Sequence, residues 1–147
     1  MSKLKQHTWN NWSGFQTSNP RQLLKPHNID ELKAIVRESD KIRVAGASHS
    51  FTPLVATDAT LLSLDHLSGV EHVEQEQCTA TILAGTRLYD LDQFLQPLNQ
   101  SLMQQGDIDQ QSLAGAVSTG THGTGADLYS ISGYVEQFEL LTASGEL

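Results

Sequence analysis

The sequence predicts a mixed fold of alternating strands and helices, and three observations carry that expectation. Short β-prone runs recur at 42–45, 60–64, 70–73 and 79–84. Apolar residues at helical spacing fill 29–38 and the stretch from Leu88 onward. Turn chemistry separates these segments, most densely at 104–125, a stretch of Gly, Ser and Thr with few large side chains.

Residues 1–27 are polar but carry Trp9, Trp12, Phe15, Pro20 and Pro26, which reads as an extended arm laying aromatic rings on the body. Asn28 and Glu31 have capping-box spacing ahead of Ile29, Leu32, Ile35 and Val36, so a helix is expected over about 29–38. After the strand at 79–84 and Gly85, Thr86 is placed to cap a helix with Leu88, Leu91, Phe94 and Leu95 inward and Pro97 near its end. Leu113 to Val117 is expected to form a short helical turn. Residues 133–142 alternate apolar and polar side chains and read as a strand, with a turn at Ala143-Ser144-Gly145. A strand left unpaired there would imply that the chain is part of something longer.

The 147 residues are the usual size of one domain. Nine Lys and Arg against 17 Asp and Glu give a net charge of −8. The basic residues are scattered, so no stripe exists to neutralise a row of phosphates, and nucleic acid is not an expected partner. The apolar runs are too short to span a bilayer. Cys78 has no second cysteine to pair with, and no apolar leader follows the first charges; both point to a reducing, cytoplasmic setting. No His, Cys or carboxylate spacing of zinc type occurs, so no metal is expected.

Two segments carry the chemistry. Ala45-Gly46-Ala47-Ser48-His49-Ser50-Phe51 follows a strand, and its small residues let the backbone approach a ligand. Successive N–H groups in such a turn form a concave anion site, to which Ser48 and Ser50 can add hydroxyls. The second segment, Ser112 to Gly125, carries Gly115, Ser118, Thr119, Gly120, Thr121, His122, Gly123 and Thr124, with Gly106 upstream. Its glycine spacing argues for a tight loop that exposes backbone donors and hydroxyls. The residues alone leave ordinary turns as the competing reading. A Rossmann fingerprint fails because Leu128 stands where the third glycine belongs, and no Gly-Lys pair supports a phosphate loop of Walker type. A serine hydrolase using Ser48 or Ser112 with His49 or His122 would need a nucleophile elbow, which Gly46-Ala47-Ser48-His49-Ser50 lacks at its last position.

At these residues the sequence resembles the FAD-binding domain of the vanillyl-alcohol oxidase superfamily, the p-cresol methylhydroxylase (PCMH) type. It is most similar to the branch of sugar 1,4-lactone and alditol oxidases. The matching pieces run in family order: Trp9-Asn10-Asn11-Trp12-Ser13-Gly14, Pro26 with the helix after it, 42–51, Leu62-Ser63-Leu64-Asp65, Ala84-Gly85-Thr86-Arg87-Leu88 and 106–125. The resemblance implies an α+β fold of two small subdomains, about 1–72 and about 73–147, with FAD between them. It implies that the second subdomain is incomplete and the substrate domain absent. It implies cofactor contacts from 45–51 and from Gly106, Ser112, Gly115 and 118–124, with His49 bonded covalently to the flavin 8α-methyl. It further implies oxidation of a CH–OH group of a sugar lactone or alditol by hydride transfer to flavin N5, with dioxygen as electron acceptor. The alternatives are a truncated FAD-binding module without activity of its own, and the hydrolase. No catalytic acid or base is assigned.

Overall fold

The computed structural model describes residues 7–147. The first six residues of the expected arm lie outside the described residues. The architecture is α+β, and the chain forms two compact units: residues up to His66 with Leu140–Leu147, and Leu67–Glu139. The divide expected near residue 72 falls within a strand of the second unit.

In the first unit, what the sequence suggested as an extended arm is paired structure. Strands β1 (Trp9–Asn10) and β2 (Thr17–Ser18) form an antiparallel hairpin. Buried Asn11 closes it, its Oδ1 accepting from Gln16 N at 3.0 Å. Strand β3 (Gln22–Leu24) then joins a parallel sheet with β4 (Ile42–Ala45) and β5 (Thr60–Ser63), in the order β3-β5-β4. Every residue of central β5 is buried, which is why 60–63 reads as a continuous run rather than an alternation. Helix α1 (Ile29–Glu38) crosses from β3 to β4. Asn28 Oδ1 accepts from Glu31 N at 2.9 Å, and the Glu31 carboxylate accepts from His27 N at 2.8 Å. Asn28 therefore caps the helix as read, while the returning Glu31 carboxylate takes the amide of His27 and the side chain of Asn28 rather than the Asn28 backbone. The turn at 143–145 also forms, with Gly145 N donating to Thr142 O at 2.9 Å and the Gly145 carbonyl accepting from Arg37 of α1 at 3.0 Å.

The second unit pairs β6 (Val70–Glu74) with β7 (Thr79–Ile82), antiparallel. Helix α2 (Leu88–Leu95) and the short α3 (Leu113–Ser118) follow. Leu88, Leu91, Leu95, Ala116 and Ile131 form its core, with Val70, Ala80 and Ile82 of the hairpin packed against them. Burying each leucine contributes about 1.5–3 kcal/mol.

Three expectations need correction here. Thr86 does not cap α2: Arg87 holds that position. Thr86 is fully buried instead, its Oγ1 accepting from Gly69 N at 2.9 Å and donating to Leu83 O at 2.7 Å. Phe94 is 40% exposed, because the buried α2 stripe runs through positions 88, 91 and 95. The strand expected at 133–142 is absent. Residues Ile131–Tyr134 make a 3-10 turn, and Val135, Phe138 and Leu140 are exposed. No other described strand pairs with this segment, and alternation without a paired neighbour does not hold a strand.

Candidate functional site: two donor loops

The first loop leaves the carboxyl end of β4, the end of a parallel strand where open sheets bind ligands. Ala45 is buried and anchors it, and the chain then turns through Ser48, which has a left-handed backbone with φ of 59°. A non-glycine residue in that region costs about 1–3 kcal/mol, so its surroundings must hold it. The β1–β2 hairpin does so. Trp9 Nε1 donates to Ser48 Oγ at 2.9 Å, and Trp12 N donates to Ser48 O at 3.0 Å. Asn11 Nδ2 donates to Ser50 O at 2.9 Å and Gln16 Nε2 to Phe51 O at 3.2 Å. The Trp12 indole lies parallel to the His49 imidazole, with centroids 5.4 Å apart and planes 6° apart. The ring of Phe51 meets Trp12 edge-on at 5.3 Å. Among the described residues, no protein acceptor takes the backbone N–H groups of 47–51, and no hydrogen bond reaches the His49 ring.

The second loop surrounds α3. Its approach is fixed by backbone bonds: Leu88 N to Gln111 O at 3.0 Å, Leu113 N to Thr86 O at 2.8 Å and Ala114 N to Ala84 O at 3.1 Å. Ser112, buried, bridges Arg87 in a single β-pair. A Cβ on Gly115 would stand 3.0 Å from Ser112 Oγ, and one on Gly106 would stand 3.3 Å from Thr121 Cγ2. A Cβ on Gly123 would collide with the Gln105 carbonyl. Gly120 turns the chain with φ of 64°. Thr119 Oγ1 donates to Gly115 O at 2.9 Å, and Thr121 Oγ1 accepts from Gln111 Nε2 at 3.1 Å. His122 is exposed, and its Nδ1–H donates to the Gly123 carbonyl at 2.8 Å. The N–H groups of 122–125 donate to no described protein acceptor, and Ser118 and Thr124 are exposed.

Each loop therefore presents backbone donors and hydroxyls. An acceptor-rich dinucleotide fits such a donor set. The first unit holds Ala45, Gly46, Ala47, Ser48, His49, Ser50 and Phe51. The second holds Gly106, Ser112, Gly115 and 118–124. Neither Ser48 nor Ser112 is hydrogen-bonded to a histidine among the described residues; Ser48 Oγ instead accepts from Trp9 Nε1. No described group of three His, Cys, Asp or Glu side chains is placed for a metal, and no described helix is long and apolar enough to cross a membrane. The supporting roles of Asn11 and Gln16 were not visible in the sequence, because their partners lie 39 and 35 residues away.

Comparison with known proteins identifies the family. The chain is 33% identical over 143 residues to an L-gulono-1,4-lactone dehydrogenase of Mycobacterium tuberculosis, covering 95% of this chain and 33% of that protein. It is 32% identical over 149 residues to a D-arabinono-1,4-lactone oxidase of Eremothecium gossypii, covering 96% of this chain and 28% of that protein. The chain thus spans about a third of the length of the curated relatives it matches. Among solved structures, cholesterol oxidase from Brevibacterium sterolicum shares the fold at a TM-score of 0.68 and 22% identity, over 82% of this chain and 25% of that one. Alkyldihydroxyacetonephosphate synthase shares it at 0.69 and 20%, over 76% and 23%. Residues 20–147 match the FAD binding domain family, and the chain belongs to that family.

Proposed function

We propose that this chain is the cofactor-holding part of a flavoenzyme that oxidises a CH–OH group of a sugar lactone or alditol. The unpaired amides of 47–51 and 122–125 carry this reading. Ala45, Gly46, Ala47, Ser48, Ser50 and Phe51 supply one share of the contacts to FAD. Gly106, Ser112, Gly115, Ser118, Thr119, Gly120, Thr121, Gly123 and Thr124 supply another. Small side chains keep the backbone accessible, and amides with hydroxyls take the place of fixed positive charge. His122, tied to its neighbour's carbonyl, orients the loop. Bound FAD would supply hydride acceptance at N5 and onward delivery of electrons.

His49 is the proposed covalent tether. With FAD bound, its imidazole nitrogen would take the place of one hydrogen of the 8α-methyl group, and dioxygen would accept the two electrons and two protons released, leaving as hydrogen peroxide. A neutral imidazole is a competent nucleophile, and neither of its nitrogens is occupied by a described residue. The names of the relatives support a lactone as substrate. Dioxygen is the proposed acceptor in turnover, as the oxidase relatives' names suggest, and the single exposed Cys78 favours a reducing, cytoplasmic setting. Because the relatives are about three times longer, this chain by itself is expected to hold FAD without turning over substrate.

The test is a fluorescence titration of the chain with FAD, followed by denaturation in acid and SDS. Saturable quenching with yellow colour retained by the wild type and lost from His49→Ala supports the reading. Absence of FAD binding overturns it. Reversible binding with equal, fully extractable flavin in both proteins overturns the tether alone.

A further inference from the structure

We propose that the β1–β2 hairpin, which precedes the family-matched residues 20–147, is a working part of the flavin site, with Trp12 the positioning residue for His49. This inference rests on the FAD reading above. Every hydrogen bond between hairpin and loop runs one way. Trp9, Asn11, Trp12 and Gln16 donate, and Ser48, Ser50 and Phe51 accept. A loop of this length has as many backbone donors as acceptors, and left alone it can pair them internally in turns. By occupying three of the loop's carbonyls and the Ser48 hydroxyl, the hairpin leaves the amides of 47–51 without protein partners. The loop is thereby biased toward an acceptor-rich, anionic ligand.

Trp12 adds a second effect. Nothing hydrogen-bonds the His49 ring among the described residues, so its orientation depends on packing. The parallel indole at 5.4 Å covers one imidazole face and leaves the ring nitrogens unoccupied. Trp12 is itself 53% exposed, so its role is not to fill a core. The same ring braces Phe51, so one indole fixes both ends of the segment 49–51.

The experiment compares the chain with Trp12→Ala, Trp12→Phe and Gln16→Glu. The last keeps size but turns the donor to Phe51 O into an acceptor. FAD dissociation constants, the rate at which acid-stable flavin appears, and urea unfolding midpoints are measured on each. Trp12→Ala is expected to slow acid-stable flavin formation about tenfold, with Trp12→Phe restoring most of it. Gln16→Glu is expected to weaken FAD binding about tenfold at an unfolding midpoint close to wild type. Variants that match wild type in both affinity and rate overturn the inference while leaving the FAD reading intact. If wild type binds FAD but forms no acid-stable flavin, the tether fails. The hairpin's role is then decided by the affinity of Gln16→Glu, unchanged affinity overturning it. If wild type binds no FAD, both readings fall.

Discussion

At the scale of single residues, the two loops depend on positions where one atom decides the outcome. Gly123 packs so closely on the Gln105 carbonyl that a methyl group cannot be accommodated without moving backbone. Gly123→Ala is therefore expected to lower stability by about 1–3 kcal/mol and to weaken FAD binding, both readable from urea unfolding and flavin fluorescence. Asn28→Ala removes the side-chain acceptor for Glu31 N and is expected to cost about 1 kcal/mol in the same unfolding assay, without changing FAD affinity. Asp58 gives a pH signature. A hydrogen bond from Lys41 at 3.0 Å, then its own backbone amide and the Lys41 charge, hold its carboxyl below the ordinary 3.8. A lowered folded-state value means that Asp58 adds stability above the unfolded carboxyl's range and loses it as pH falls through the lowered value. Asp58→Asn should flatten that limb of an acid unfolding curve, slightly, because the pair is exposed.

At the scale of elements, the sequence was legible where the signal is local. The α1 cap, the inward leucines of α2, and strands β4 to β7 all follow from spacing within a few residues. It was not legible where pairing is distant. Trp9 and Asn10 become a strand only because Thr17 and Ser18 lie opposite, and β3 only because β5 offers an edge. The converse error occurred at 133–142, where alternation was present but a partner strand was not. Thr86 illustrates the same limit: a residue suited to capping was recruited to bind Gly69 and Leu83. Thr86→Val, close in shape, leaves Gly69 N without its buried acceptor. It is expected to cost about 1–3 kcal/mol, measured by thermal or urea unfolding, and to loosen the β7–α2 connection.

At the scale of the whole molecule, the composition and the two loops tell one story. With a net charge of −8 and scattered basic residues, the chain is proposed to meet a doubly phosphorylated cofactor through backbone amides, which carry no formal charge and cannot be replaced by side-chain mutation. The motifs of both loops were legible in the sequence because glycine, serine and threonine there stand close together. What the sequence did not reveal was which groups are left unpaired, since that depends on hydrogen bonds from residues far along the chain. The most direct test is amide hydrogen exchange of this chain with and without FAD, resolved to short peptides. Slowed exchange concentrated in peptides covering 47–51 and 122–125 is the predicted result. Saturable FAD binding that leaves those amides exchanging at their unliganded rates would contradict the account.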